Sequence, residues 1–159
     1  TINTMVLSSD AAEDDGTVKI RYGAGDWPGH YKAPLFEERL APLAAPGLLA
    51  EAEDWRELPR LSVSGPRPGW RDWRDFSGQV TTSATALRYD TFASALAAAR
   101  AGIGVLLGSL PLCQDDLESG ALMQVSTEVM PHHESYWLLA SKERISRRQW
   151  KVLRASLTK

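Results

Sequence analysis

The sequence predicts an α/β fold built on a mixed, mostly parallel sheet, and three observations predict it. Helical and extended segments alternate from residue 46 to residue 125, the pattern of right-handed βαβ units. Residues 103–107 form a nearly continuous apolar run, as in a strand covered on both faces of a parallel sheet. The length, 159 residues, suits one ordinary domain or two small lobes sharing a core.

In chain order, residues 1–7 are β-branched and apolar and read as a strand. Ser8-Ser9-Asp10 offers a helix N-cap, followed by a short acidic segment and a turn at Gly16. Residues 18–22 alternate apolar and polar side chains, as a strand with one buried face does. Gly23, Gly25 and Pro28 then mark a loop. Residues 35–44 are extended, Pro46 opens a short helix, and 60–64 form a candidate strand. Ser64-Gly65-Pro66-Arg67-Pro68-Gly69 is loop chemistry, and 70–76 make a short aromatic helix with Trp70 and Trp73 on one side. After a strand at 86–89, Asp90-Thr91 caps the clearest helix, whose Phe92, Ala95, Leu96 and Ala99 fall at i, i+3, i+4 and i+7. A helix around 112–118 stops at Ser119-Gly120, 122–125 is extended, and 136–140 is a strong strand. Ser146 and Gln149 have capping-box spacing for a final helix whose Trp150, Leu153 and Leu157 share a face.

Composition narrows the function classes. Hydrophobic residues make up 43% and charged residues 24%, an ordinary globular balance. No apolar run approaches the roughly 20 residues that span a bilayer, so no membrane partner is expected. A net charge of −2 is not that of a domain that grips DNA by itself, which needs a concentrated basic face. The one basic cluster, Arg144, Arg147, Arg148, Lys151 and Arg154, reads as the solvated face of the last helix. Cys113 is the sole cysteine; an intrachain disulfide is impossible, which suits a reducing cytoplasm, and it reads as a small core residue near a helix start. Thr1-Ile2-Asn3-Thr4 has neither the basic nor the hydrophobic region of a signal peptide and no Met, so the chain is expected to begin inside a longer parent.

Catalytic and metal chemistry find little support. His132-His133-Glu134 groups ligand types, but adjacent histidines on a strand point to opposite faces, and HExxH and CxxC spacings are missing. The segment reads as a solvated loop, and no metal or cofactor is expected. A GxSxG elbow is also missing. Asp14-Asp15 and Asp115-Asp116 read as solvated turns and a helix N-terminus. Gly23-Ala24-Gly25 lacks the third glycine and the helix of a nucleotide loop, and the chain is not expected to be an enzyme. What remains is ligand binding, because small molecules sit beyond the carboxyl ends of strands, against helix N-termini, in open α/β sheets. Tyr89-Asp90-Thr91-Phe92 is such a junction, where backbone N–H groups and the Thr91 hydroxyl can hold a carboxylate. A plain N-cap without ligand is the alternative.

Six segments, in order, cover nearly the whole chain. They are Ile20-Arg21-Tyr22-Gly23-Ala24-Gly25-Asp26-Trp27-Pro28-Gly29, Leu35-Phe36-Glu37-Glu38-Arg39-Leu40-Ala41-Pro42-Leu43, Arg88-Tyr89-Asp90-Thr91-Phe92, residues 98–108, Asp115-Asp116-Leu117-Glu118-Ser119-Gly120-Ala121-Leu122 and Ser135-Tyr136-Trp137-Leu138. Together they resemble the effector-binding domain of LysR-type transcriptional regulators. The first points especially to the branch containing the glycine-cleavage activator and the β-lactamase-induction regulator.

The resemblance implies a two-lobed periplasmic-binding-protein-like (type II) fold with two crossover strands, near 39–44 and 136–140. Lobe I would combine 1–40 with 138–159, and lobe II would be 45–135. It implies an effector-sensing regulatory domain that binds a small metabolite, amino-acid-like or a carboxylate, between the lobes. Ligand preference for one arrangement would shift the geometry of attached DNA-binding heads. The implied effector contacts are Ser8 and Ser9 after the first strand, Tyr22, Gly23 and Ala24 after the second, Thr91 at the helix start and Tyr136 on the return strand. Trp27 either packs in the core or lines the cleft. Where this chain has Ala24, the family branch often has an acidic residue. The family's winged helix-turn-helix, linker helix, and first strand and helix of lobe I have no counterpart in this sequence, so DNA contact is implied only through an N-terminal part not present. A homodimer or tetramer and a cytoplasmic location are also implied. A stand-alone solute-binding protein of the same fold is the alternative.

Overall fold

The structure is a computed structural model and describes residues 2–4, 18–83 and 86–157. In chain order the elements are β1 (Ile2–Thr4), β2 (Val18–Gly23), β3 (His30–Pro34), β4 (Glu38–Ala44), α1 (Pro46–Leu49), β5 (Arg60–Val63), α2 (Trp70–Ser77), β6 (Ala86–Tyr89), α3 (Phe92–Arg100), β7 (Val105–Ser109), α4 (Gln114–Ser119), β8 (Met123–Gln124), β9 (Met130–His132), β10 (Ser135–Ser141) and α5 (Arg147–Leu157). They fall into two compact units, Thr1–Glu37 with His133–Lys159, and Glu38–His132.

The first unit carries a four-stranded sheet in the order β1-β2-β10-β3. β1 is parallel to β2, and β10 runs antiparallel to both β2 and β3. The period of two along these strands puts Ile20, Ala33, Leu138 and Ala140 into one cluster with Trp150 of α5. α5 starts at the expected capping box: Ser146 N–H donates to Gln149 Oε1 at 2.8 Å, and Gln149 N–H donates to Ser146 Oγ at 3.3 Å. Trp150 is buried and Leu153 packs beside it, but Leu157 is exposed and takes no part in the expected apolar face. That face ends one turn early.

The second unit carries the order β6-β5-β7-β4-β8, with β9 also paired to β4. β5, β6 and β7 are mutually parallel, whereas β4 is antiparallel to β7, β8 and β9. The sheets are mixed, as expected, but across the described residues antiparallel pairings outnumber parallel ones, so the expected parallel majority is corrected. The reason lies in β4 and β10, which return along sheets that local periodicity cannot assign a direction. The apolar run is a strand covered on both faces, as expected. Leu106 packs with α3 residues Ala95, Leu96 and Ala99, while Leu107 packs with Trp73 and Val105 with Leu48. Its register is later than the sequence suggested, however, because Ile103 is exposed and the strand begins at Val105.

Two edge strands escaped the sequence reading. β3 carries Pro34 at its end and pairs on one side only, and β9 is three residues long. Placing His132 in β9 also corrects the view of 132–134 as a solvated loop, since His132 is half-buried opposite Glu38. Asp115 and Asp116 stand in the first turn of α4, as expected of a helix N-terminus. Asp116 is buried, and its carboxylate takes a two-point ion pair from Arg100, Nε at 2.6 Å and Nη2 at 2.8 Å, which ties the end of α3 to α4. Cys113 is the core residue expected; burial pushes its thiol up to about 12, so it stays protonated and unreactive at neutral pH.

Gly104 and Gly108 are sites of close approach. A Cβ on Gly104 would lie 2.7 Å from the Pro59 carbonyl oxygen, and one on Gly108 would lie 2.5 Å from Leu43 Cδ1. Leu43 is fully buried and has no space into which to turn. Gly108→Ala is accordingly expected to destabilise the chain by about 1–3 kcal/mol through overpacking. Urea denaturation that finds a loss below about 0.5 kcal/mol would show that β4 and β7 pack more loosely than this.

Candidate ligand-binding site

The parallel arrangement of β5, β6 and β7 puts their carboxyl ends on one edge of the second unit's sheet, the edge where α/β sheets bind ligands. β6 leads through Asp90 to Thr91, which has extended backbone and caps α3. Thr91 Oγ1 accepts the Ser94 N–H at 3.1 Å and sits 2.8 Å from Ser94 Oγ. That is the expected cap, made by the hydroxyl expected to meet a ligand. The N–H groups of Phe92 and Ala93 lie in the turn whose donors have no intrahelical acceptor, at the positive end of the helix dipole.

The loop after β5 closes against this junction. Ser64 N–H donates to the Tyr89 carbonyl at 2.9 Å, and Arg88 Nε donates to Ser64 Oγ at 3.0 Å. Farther along the loop, the Arg67 guanidinium lies 4.4 Å above the centre of the Phe92 ring, a cation–π contact at the first residue of α3. Arg67 Nη2 is also 3.4 Å from Glu38 Oε2, with the two side chains 9% and 0% exposed. Ser109 Oγ, at the carboxyl end of β7, donates to Glu38 Oε1 at 2.6 Å, and the Arg39 N–H reaches the same oxygen at 3.2 Å. A buried carboxylate, a serine and an arginine thus knit the ends of β4, β5 and β7 to the start of α3. Chemically this edge suits an anion, with the cationic loop and helix N-terminus partly offset by Glu38.

In the first unit the register pairs Tyr22 with Tyr136 and Gly23 with Ser135 across β2 and β10. The two tyrosine rings meet edge to face with centroids 5.2 Å apart, and Phe36 adds a third ring 5.9 Å from Tyr136. Trp137 Nε1 donates to the Gly23 carbonyl at 2.9 Å, and Trp27 packs edge-on against Trp137. Trp27 is thereby part of this unit's packing. Gly25, at φ +95°, has room for no side chain, since a Cβ would come 2.8 Å from Trp137. Ala24 between them is exposed.

The structure therefore brings Tyr22, Gly23, Ala24 and Tyr136 to the carboxyl end of β2, and sets Thr91 in the second unit. Ser8 and Ser9 lie outside the described residues. Sequence reasoning missed Arg67, Glu38 and Ser109. The signal for Arg67 was present, since a glycine- and proline-rich loop directly after a parallel strand falls under the same carboxyl-end rule that selected Thr91. Nothing local marked Glu38, one of two adjacent acids in the segment read as extended. Among the described residues no group of three His, Cys, Asp or Glu side chains converges to hold a metal ion.

Removing one member of a buried charged pair leaves the other uncompensated. Arg67→Ala is therefore expected to cost about 2–4 kcal/mol, whereas Arg74→Ala, which breaks the exposed pair with Asp75, should cost less than about 0.5 kcal/mol. Chemical denaturation of both variants checks this, and equal losses would deny Glu38 its dependence on Arg67.

The LysR substrate binding domain family matches residues 8–159. The chain is 29% identical over 140 residues to the HTH-type transcriptional activator AmpR of Enterobacter cloacae, covering 85% of this chain and 47% of that protein. It is 26% identical over 167 residues to the glycine cleavage system transcriptional activator of Escherichia coli K12, covering 98% of this chain and 55% of that protein. It spans about half the length of these curated relatives. Among solved structures, the effector domain of the transcriptional regulator AmpR of Pseudomonas aeruginosa superposes with a TM-score of 0.71 at 25% identity, covering 89% of this chain and 70% of that one. The mixed α/β architecture with two sheets and crossover connectivity is that of type II periplasmic-binding-protein-like effector domains, which are regulatory and not catalytic. The chain belongs to the LysR substrate binding domain family.

Proposed function

We propose that the chain is the effector-sensing domain of a LysR-type transcriptional regulator, of the branch that includes AmpR and the glycine cleavage activator. One observation carries the reading: the family match runs from residue 8 to residue 159 and so takes in both units. DNA contact then belongs to a part of the regulator outside this sequence, in keeping with a net charge of −2, and the domain works in the cytoplasm as a dimer or tetramer. A stand-alone solute-binding protein is disfavoured, because the curated relatives are transcriptional activators of which the chain spans only about half.

The effector class follows from the chemistry of the residues. The α3 N-terminus with Thr91 favours a carboxylate, and the Tyr22 and Tyr136 rings offer apolar faces with phenol groups that exchange hydrogen bonds. An amino acid or a small carboxylic acid suits the chemistry of each set of groups taken by itself. Ser8, Ser9, Gly23 and Ala24 are further proposed contacts.

A thermal-shift screen against amino acids, small carboxylates, aromatic acids and muropeptide fragments tests this. A ligand at a hundred times its dissociation constant adds about 2.7 kcal/mol, which is about 5–10 °C for a domain of this size. The shift should shrink in Thr91→Ala and in Tyr136→Phe. A full shift retained in both variants would remove these residues from the site, and silence across the screen would count against small-molecule sensing.

A further inference from the structure

The basic cluster near the C-terminus is exposed, as a solvated helix face should be, and part of it lines a groove. Arg147, Trp150, Lys151 and Arg154 lie on one side of α5, at the spacing of successive turns. Across from them stand Lys32 of β3 and Lys142, which directly follows β10. Together they line an open groove of about 610 Å³, within the size range of small-molecule sites. Among the described residues its lining holds five Lys or Arg side chains and no carboxylate. The floor is aromatic: Tyr31 and Trp150 stack with centroids 5.7 Å apart and planes inclined by 13°, and Lys142 Nζ lies 5.7 Å from the Tyr31 ring centre.

This arrangement opposes the protein's own stability. Arg147 opens α5, whose first turn holds no acidic residue, so cationic charge sits at the positive end of a helix dipole, where carboxylates are the favoured residues. Among the described residues Lys142, Arg147 and Lys151 make no ion pair, and the Lys32 ammonium donates to the Gly25 carbonyl and not to an acid. Like charges brought together from three elements in a chain of net charge −2 favour the approach of an anion of several charges.

We propose that this groove binds a small oligophosphate-bearing ligand, of the inorganic polyphosphate or nucleoside di- and triphosphate class. The groove is concave, and its cations converge from a strand, a loop and a helix; a duplex backbone instead takes cations spread along an open face. The site is separate from the effector contacts. β10 meets Tyr22 at its Tyr136 end and His30 at its Ser141 end, so the two places lie at opposite ends of one strand.

Isothermal titration of the chain with sodium tripolyphosphate tests the proposal, at low salt and in 0.5 M sodium chloride. Expected are one site per chain, an affinity that falls with salt, and a loss of roughly tenfold or more in Arg147→Glu/Lys151→Glu. Both substitutions are at exposed positions, and circular dichroism checks that the variant folds. A control pair, Arg71→Glu/Arg74→Glu on α2, should bind as the parent does. The proposal is overturned by no heat at millimolar tripolyphosphate and low salt, by binding that ignores the double substitution, or by equal loss in the control. A mixed-sequence duplex that binds more than tenfold tighter than tripolyphosphate and competes for the same residues would also overturn it, and would make the groove a nucleic-acid surface.

Discussion

A carboxylate with no solvent exposure opens the second unit, and much of the structure there answers its need for partners. Burying Glu38 unpaired would cost several kcal/mol. It is tolerated because Ser109, the Arg39 amide and Arg67 all reach it. Each partner comes from a different place in the sequence, and meeting the same group fixes where each of them ends. β7 must stop at Ser109, the loop after β5 must fold inward, and Arg67 must lie over Phe92. The start of α3 is thus held from the side by a charge whose own position depends on the strand that enters the unit. A polar network of this kind specifies one arrangement of loops where an apolar contact would permit several.

The elements with a strong local period were legible in the sequence. α3 showed its cap and its apolar face, α5 its capping box, and β7 its unbroken apolar run, because each signal lies within about ten residues. The directions of β4 and β10 were not legible, nor were β3 and β9, because these strands exist only through partners far away in sequence. Leu138, for instance, pairs with Ile20 on one side and Ala33 on the other. The same distinction governs the candidate site. Thr91 announces itself as a cap, and the Tyr22 and Tyr136 positions came from family resemblance. Glu38, Arg67 and Ser109 form a constellation spanning some 71 residues, which no local pattern encodes.

Two electrostatic strategies stand in one small chain. At the carboxyl edge of the second unit, charge is buried and nearly balanced, so a ligand proposed to bind there would meet directed donors and not a net field. In the α5 groove, charge is exposed and unbalanced, and attraction there is long in range and sensitive to salt. The first suits selectivity among small metabolites, the second suits sensing the amount of a polyanion.

In the proposed function the α3 N-terminus receives the effector's anionic group. Amide hydrogen exchange of Phe92 and Ala93, followed with and without a saturating mixture of α-amino acids and small carboxylates, tests it most directly. Occupation of those N–H groups predicts slower exchange at both positions, beyond any slowing spread over the rest of α3. Unchanged exchange at Phe92 and Ala93 while the domain as a whole is stabilised would contradict the account and place the effector elsewhere.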